Sequence, residues 1–167
     1  VIMKSEIAYK FSEDNVIKIN AWKKKFPNEH AKSSIIYVLH ICQKEKGFIT
    51  EEHMKATAEI LGIDFIDVYE IATFYSMFET ENVGKNVISI CTNISCMLRG
   101  SDDLVSYAEK KLGIKIGDSS DNIFLKDERE CLAACCGAPM MQVNHKYYEN
   151  VTIELLDEII GTLKDEK

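Results

Sequence analysis

Cysteine is the residue type with the clearest chemical potential in this 167-residue chain, because five of its six cysteines lie in one region. They form two spaced pairs and one adjacent thiol: Cys91-x4-Cys96, Cys131-x3-Cys135 and Cys136. Six cysteines are too few for a disulfide scaffold in a chain of this length. Clustered cysteines in an intracellular protein more often bind a metal or do redox chemistry. The spacing therefore indicates a metal or redox site.

Four thiols arranged in two pairs have three possible interpretations. In a 2Fe-2S rhomb each iron takes two cysteines. We expect Cys91 and Cys96 to share one iron, because a short loop spans one iron more easily than two. Cys131 and Cys135 would then hold the other iron. Structural zinc mostly uses C-x2-C pairs, a spacing that neither pair has. Unliganded or disulfide-paired thiols are the third alternative, so the spacing favours a 2Fe-2S cluster and leaves the other two open.

The two remaining cysteines have different expected roles. Cys136 is either a fifth thiol that competes as a ligand or a small buried residue that never touches the metal. We favour the buried residue, because four ligands complete a cluster. Cys42 lies at helical spacing from Ile35 and Leu39, so we expect it in a helical core.

Composition and charge exclude several classes of protein. Apolar residues make up 46% and charged residues 28% of the chain, as in soluble globular proteins. The net charge is -7, which argues against a nucleic-acid partner, because phosphate contacts require a basic surface. No apolar run approaches the roughly 18 residues that span a bilayer. The first residues lack the features of a signal peptide, so we expect a cytoplasmic protein with no direct membrane insertion.

Residues 1–82 have the pattern of a small helical bundle of four helices. Caps and stop residues set the expected limits: a first helix capped at Ser12 to Asn15 and ending near Phe26, a second from about residue 28 to Gly47, a third from Thr50 to Gly62, and a fourth from Asp64 to about Phe78.

Residues 83–167 alternate between strand and helix signals in the order strand, helix, strand, strand, strand, helix. The four expected strands are at residues 87–90, 123–125, 140–143 and 146–148, and Asn144-His145 is expected to form a hairpin turn. Ser101 to Asp103 would cap the first helix of this region, and Thr152 the last. The pattern predicts an α+β protein in which a four-stranded sheet is covered by helices. Each cysteine pair follows a strand, so the two loops can face each other at one end of the sheet.

Three motifs in the sequence resemble those of a known family. The run VYEIATFYSMF at residues 68–78 is similar to the "VYEVATFYxMF" signature of the small 2Fe-2S subunit of NADH dehydrogenases, found in respiratory complex I. CTNISCMLRG at residues 91–100 and CLAACCGAP at residues 131–139 resemble the family's two ligand loops, the second of which is usually "CLGAC..AP". Gln43 and Gly47 also match. The resemblance covers about residues 28–163.

The resemblance implies a helical bundle at 1–82 and a thioredoxin-like α/β domain at 83–167, with one 2Fe-2S cluster on Cys91, Cys96, Cys131 and Cys135. It implies an electron-transfer subunit that partners an NADH/FMN-binding flavoprotein and further iron-sulfur subunits of a larger complex. FMN and NAD(H) would bind on the partner, since this chain lacks a Gly-rich dinucleotide fingerprint, and no catalytic residue is expected here. Ala133 stands where the family usually has glycine, a change that a tight loop should tolerate.

The motifs do not separate the complexes in which such subunits occur. Homologous subunits serve NADH dehydrogenases, NAD-linked or electron-bifurcating hydrogenases and NAD-dependent formate dehydrogenases. The alternatives from other classes are a zinc-stabilised interaction module without a redox role and a free-standing 2Fe-2S ferredoxin. The helical region and its aromatic stripe (Phe74, Tyr75, Met77 and Phe78) indicate a subunit that docks to a partner and not a free-standing ferredoxin.

The sequence also supports expectations about an aromatic stripe, an arginine and a proline. The stripe of Phe74, Tyr75, Met77 and Phe78 is expected to pack in a core or between lobes, with a partner-binding surface as the alternative. Arg99 would either offset the charge of an anionic cluster or form a surface or partner salt bridge. The thioredoxin-like resemblance suggests a cis bond before Pro139. No histidine is assigned to a metal.

Overall fold

The computed structural model describes residues 9–120, 122–128 and 130–165. The chain divides between Asn82 and Val83 into two units. None of the helices in these residues combines the length and apolarity that crossing a membrane requires.

The first unit consists of helices joined by short links: α1 (Glu13–Lys23), a 3₁₀ segment (Asn28–Ser34) kinked at His30, α2 (Ile35–Lys46), α3 (Glu51–Leu61) and α4 (Phe65–Phe74). The predicted caps at Ser12 and Thr50 are confirmed, whereas Asp64 precedes α4 without a side-chain cap hydrogen bond. Ser12 Oγ accepts from the backbone N–H of Asn15 at 3.3 Å, and Thr50 Oγ1 accepts from that of His53 at 3.3 Å. Gly47 ends α2 with a left-handed φ of 86°, a conformation that favours glycine.

Three helix limits in the first unit differ from the prediction, and two of them lie on either side of Pro27. The first helix ends at Lys23 and not near Phe26, because the chain there tightens into i→i+3 hydrogen bonds from Lys25 to Trp22 and from Phe26 to Lys23. The residues after Pro27 form the 3₁₀ segment, and α2 begins only at Ile35.

The fourth helix ends at Phe74 and not near Phe78, because tertiary hydrogen bonds capture the following segment. Tyr75 is extended, with φ −83° and ψ 119°. The Gln43 side chain donates from Nε2 to the Met77 carbonyl at 2.8 Å. It also accepts at Oε1 from the backbone N–H of Glu79 at 2.8 Å. These two bonds fix a non-helical turn that carries Phe78 into the core.

Most of the core of the first unit is built from apolar side chains at helical spacing on α1 to α4, and Ile49 and Phe78 join it from outside these helices. Its fully buried members are Ile19, Ile35, Val38, Leu39, Ile49, Met54, Ala58, Leu61, Val68, Ala72 and Phe78.

In its described residues, the second unit contains a five-stranded mixed sheet and three α-helices: β1 (Asn86–Ile90), α5 (Ile94–Met97), α6 (Ser101–Leu112), β2 (Ser119–Ser120), β3 (Ile123–Lys126), β4 (Met141–Val143), β5 (Lys146–Tyr148) and α7 (Ile153–Asp165). The strand order is β2-β3-β1-β4-β5. Strand β1 is parallel to β3 and antiparallel to β4, and the edge strands pair antiparallel. The prediction of four strands missed β2, because two serines carry no apolar strand pattern.

The core of the second unit joins the sheet to α6 and α7. Ile88 and Ile90 of β1 contribute to one face of the sheet, and α7 contributes a helical stripe. The stripe and its partners on α6 are Leu156, Ile159, Ile160, Leu163, Leu104, Ala108 and Leu112. Helix α6 is preceded by Gly100 in a left-handed conformation, so Ser101 is its first residue and not its cap. Thr152 caps α7 as predicted, since its Oγ1 accepts from the backbone N–H of Leu155.

The predicted hairpin turn at Asn144-His145 is confirmed, and both residues have positive φ, 48° and 70°. Asn144 ties the turn to β1. Its backbone N–H donates to the Val87 carbonyl at 3.1 Å, and its Oδ1 accepts from the Val87 N–H at 2.8 Å. The hairpin and the central strand are thereby held in register.

Candidate metal centre

The first cysteine loop begins where β1 ends. The backbone N–H of Cys91 donates to the Met140 carbonyl at 3.1 Å, which ties the loop to the chain entering β4. Asn93 then caps the single turn of α5, its side chain accepting from the Ile94 N–H at 3.0 Å. This turn points Cys96 back inward, so that both cysteine side chains are buried. The helical turn replaces the expected loop, and the signal that could have found it is Asn93 before an apolar residue, a typical helix start.

The second cysteine loop is held by a residue in a left-handed conformation. Ala133 has φ 61°, and its backbone N–H donates to Cys131 Sγ at 3.4 Å. A short 3₁₀ turn, Cys135–Gly137, follows. Cys135 Sγ lies 3.3 Å from Cys131 Sγ. Both thiols are exposed, so this pair lies at the protein surface.

The two cysteine loops contact each other: Cys91 Sγ lies 3.9 Å from the carbonyl oxygen of Glu130, the residue before Cys131. Burial, opposed by a hydrogen bond from the Met140 backbone and assisted by neighbouring Cys91 and Cys135, raises the pKa of the Cys96 thiol to about 11. The Ala133 N–H and then Cys135 lower the pKa of Cys131, with a smaller lowering from Cys91. All four predicted ligands therefore lie in one neighbourhood.

The pKa of Cys135, in the exposed pair, also depends on residues of the first cysteine loop. Hydrogen bonding to Cys131 raises the pKa of Cys135, while the side chain of Ser95 lowers it and Cys91 adds a smaller rise. Ser95 belongs to α5, so the first loop touches the exposed pair directly. Within the described residues, no group of three or more Cys, His, Asp or Glu side chains is arranged around a single metal-ion position.

Apolar packing supports the junction of the two loops. Cys91 and Cys96 share a small buried cluster with Ala138 and Met140, against which Leu132 and Ala134 pack. Residues from both loops and from the chain leading into β4 thus form the base of the site.

The segment after the second pair runs close to the end of β5. The backbone N–H of Asn150 donates to the Gly137 carbonyl at 2.7 Å, and that of Val151 donates to the Pro139 carbonyl at 2.8 Å. A Cβ placed on Gly137 would lie 2.4 Å from Glu149 Oε2, so no larger residue fits there without displacing Glu149. The Ala138–Pro139 bond is cis, as the sequence suggested.

The two cysteines that are not predicted ligands, Cys136 and Cys42, differ in exposure. The favoured interpretation of Cys136 as a buried residue is wrong: its side chain is exposed, because the 3₁₀ turn at Cys135–Gly137 presents consecutive side chains to the surface. Cys42 is buried in the first unit as predicted. Its Sγ lies 3.9 Å from Thr57 Oγ1, and burial raises the pKa of its thiol to about 12.

The remaining predicted features divide between core and surface. Phe78 is buried, as expected for core packing, whereas Phe74 is 75% exposed. Helix α4 exposes further large apolar side chains: Phe65, Ile66 and Tyr69. Arg99 is exposed and has no ion pair among the described residues.

A mixed sheet covered by helices, with two cysteine loops in contact at one end, defines an α+β protein with a candidate thiol site. The chain belongs to the thioredoxin-like [2Fe-2S] ferredoxin family, whose model matches residues 19–164. Family membership confirms the predicted 2Fe-2S cofactor and argues against structural zinc.

Relatives with similar sequences confirm the resemblance to NADH dehydrogenase subunits. The chain is 38% identical over 157 residues to "NADH dehydrogenase [ubiquinone] flavoprotein 2, mitochondrial" of Dictyostelium discoideum, covering 90% of this chain and 64% of that protein. It is 39% identical over 145 residues to an NADH-quinone oxidoreductase subunit of Rickettsia conorii, covering 86% and 87%. It is 38% identical over 160 residues to the subunit of the same name in Rickettsia bellii, covering 95% and 96%.

Solved structures show the same fold at low sequence identity. An NAD+-reducing [NiFe]-hydrogenase in the H2-reduced state matches with a TM-score of 0.68 and 14% identity, over 80% of this chain and 22% of that chain. The air-oxidised state matches with a TM-score of 0.66 and 14% identity, over 78% and 22%. The predicted α+β fold is thereby confirmed.

Proposed function

We propose that this chain is the electron-transfer subunit of an NADH-oxidising or NAD-reducing flavoprotein complex and carries one 2Fe-2S cluster. One observation carries the proposal: the loop with Cys91 and Cys96 contacts the loop with Cys131 and Cys135 in a chain of the thioredoxin-like [2Fe-2S] ferredoxin family. When bound, such a cluster supplies a carrier of single electrons.

The four cysteines lie in two environments, one buried and one exposed, and we infer that each pair holds a different iron. Cys91 and Cys96 are buried and would hold one iron from the protein side. Cys131 and Cys135, with thiols 3.3 Å apart at the surface, would hold the other. The Ala133 N–H donates to Cys131 Sγ and so stabilises negative charge on that sulfur. The exposed pair would bring the cluster close to the surface that a redox partner must approach.

The partners are inferred from relatives. Those relatives are named as subunits of NADH-quinone oxidoreductase, and a fold neighbour belongs to an NAD+-reducing hydrogenase. We infer that FMN and NAD(H) bind on a flavoprotein partner, where hydride transfer is divided into single-electron steps. This chain passes those electrons on, with further iron-sulfur subunits in the same complex and no catalytic residue of its own.

Two organisational points belong to the same proposal. We assign residues 1–82 to a helical-bundle domain and residues 83–167 to the thioredoxin-like domain that holds the cluster, supported by the division of the chain between Asn82 and Val83. We also propose a cytoplasmic location, because none of the six cysteines forms a disulfide, as expected in a reducing compartment.

Single serine substitutions test the ligand set. In anaerobically purified protein, replacing any of the four proposed ligands should abolish or alter the reduced-state EPR signal. Cys136→Ser and the buried Cys42→Ser should retain it. An unchanged cluster in Cys135→Ser, or loss of the cluster in Cys136→Ser, would overturn the assignment. Co-purification tests the partner: a stable protein never recovered with a flavoprotein subunit would contradict the proposed complex.

A further inference from the structure

We propose that an exposed apolar patch on α5 is the surface through which this subunit docks its flavoprotein partner, and that the partner meets it with apolar side chains around a carboxylate. The α5 patch consists of Ile94, Met97, Leu98 and Arg99. The inference rests on the proposed function and adds to it the location and chemistry of the contact.

The geometry of α5 separates a buried side from an exposed side. The turn is closed by hydrogen bonds from the Leu98 N–H to the Ile94 carbonyl at 3.0 Å and from the Arg99 N–H to the Cys96 carbonyl at 3.0 Å. Cys96 points inward and is buried. Ile94, Met97 and Leu98 lie three or four residues apart and share the opposite face. Cys96, a proposed ligand, and the α5 patch therefore lie on opposite sides of one helical turn.

The exposure of this patch is unusual for its residue types. Ile94 is 67% exposed, Met97 45% and Leu98 77%. Three such side chains in five residues, unlike single scattered apolar residues, indicate a surface that another molecule covers. Methionine and arginine are also enriched in protein interfaces.

The charge around the patch indicates what the partner carries. From Cys91 to Gly100 the only charged residue is Arg99. Its guanidinium is exposed and has no ion pair among the described residues. Docking an apolar surface over it would remove water from an unpaired charge, which is costly unless a carboxylate meets it. A partner surface that complements the patch therefore places an Asp or Glu side chain opposite Arg99.

The position of the patch indicates which partner it is. On the buried side of α5, Cys96 belongs to a cluster against which Leu132 and Ala134 pack. These two residues belong to the second cysteine loop, which carries the exposed pair of thiols. The patch thus adjoins the part of the site that lies at the surface. Electrons must cross between this site and the cofactor of another subunit, so the partner is the protein that exchanges electrons with it.

Binding of the cluster-loaded full chain to the flavoprotein subunit from the same organism tests the proposal. Ile94→Glu and Leu98→Glu should each weaken binding by at least about 30-fold, as expected when a charge enters the centre of an interface. Arg99→Glu should weaken binding more than Arg99→Gln, and the difference should shrink as the salt concentration rises. Ile17→Glu and Ile153→Glu are matched controls, since both isoleucines are exposed elsewhere, and they should bind like the wild type.

Cluster absorbance and EPR recorded on each variant show whether it is folded and loaded. If a glutamate variant loses its cluster, a photo-crosslinking benzoylphenylalanine placed at Leu98 replaces it. The crosslinker should join the flavoprotein from position 98 and not from position 153. Wild-type affinity in the patch variants, equal losses in the controls, or crosslinking from both positions would overturn the docking surface while leaving the cluster assignment intact. Failure of the wild-type chain to bind the flavoprotein would overturn both the surface and the proposed complex.

Discussion

The backbone N–H of Ala133 donates to Cys131 Sγ at 3.4 Å, and Ala133 adopts a φ of 61° in doing so. A left-handed conformation costs a residue with a Cβ about 1–2 kcal/mol. The second cysteine loop therefore carries local strain at a position that directs a hydrogen bond to a proposed ligand sulfur. The same position is the one at which the family usually has glycine.

We expect Ala133→Gly to raise the free energy of unfolding by up to about 1 kcal/mol, because glycine removes the strain but loses more chain entropy on folding. Ala134→Gly is the matched control. Ala134 has φ −115°, outside the left-handed region that favours glycine, so the control should lower stability by about 0.5–1 kcal/mol. Anaerobic urea unfolding followed by circular dichroism measures both, and equal destabilisation by the two substitutions would contradict the strain.

Gly137 should tolerate no side chain, because a Cβ there would lie 2.4 Å from Glu149 Oε2 and 2.6 Å from Glu149 Cβ. We expect Gly137→Ala to displace Glu149 and reduce cluster content in purified protein. Glu149→Gly, made in the same chain, should restore it by removing both clashing groups. Gly161→Ala in α7 is the control: nothing lies within 4 Å of the added Cβ, and a helical Gly→Ala change should stabilise by about 0.5–1 kcal/mol. Full cluster content in Gly137→Ala would refute the close approach.

Gln43→Leu should lower the free energy of unfolding by about 2–4 kcal/mol. The substitution removes both hydrogen bonds to the turn after α4 and leaves the Met77 carbonyl and the Glu79 N–H without this partner. The neighbouring exposed Lys44→Ala should change stability by less than about 0.5 kcal/mol. Urea unfolding measures both variants, and a Gln43→Leu protein as stable as Lys44→Ala would show that the turn does not depend on Gln43.

Acidification should destabilise the first unit through His53. Burial lowers the pKa of His53, and nearby Lys46 lowers it further against an opposing effect of Glu45. The Tyr9 ring packs 4.4 Å from its imidazole, and its Nδ1 accepts from the Thr50 N–H at 3.2 Å. As pH falls through about 6.5, the unfolded chain binds a proton that folded His53 resists, so stability is lost on the acid side.

Substitution isolates that contribution. His53→Gln keeps an acceptor for the Thr50 N–H but does not titrate, so its stability should fall less between pH 8 and pH 5.5 than that of the wild type. The exposed His30→Gln should follow the wild type. Parallel stability curves for all three proteins would exclude His53 as the source of the pH dependence.

Helices were predicted well where residues close in sequence determine their ends. Thr50, Gly47 and Gly62 act through their own backbone neighbours, and their predicted roles hold. The end of α4 could not be predicted in this way, because it depends on Gln43, a residue more than thirty positions earlier. Strand β2 was also missed, since its two serines become a strand only by pairing with β3.

The site was predictable in its residue types and less so in its geometry. Spacing alone indicated that the four cysteines work together, and their shared neighbourhood in the structure agrees with that expectation. The exposure of Cys136 depends on the 3₁₀ turn that contains it, which cysteine spacing does not specify. The apolar face of α5 was missed because the segment was expected to be a loop, whose side chains have no defined face.

Iron, acid-labile sulfide and zinc content, measured together with the EPR spectrum on one anaerobically purified sample, test the central claim most directly. Two irons and two sulfides per chain, negligible zinc and an EPR signal that appears on one-electron reduction are the predicted result for a 2Fe-2S protein. Zinc without iron or sulfide, and no signal in the reduced state, would contradict the account.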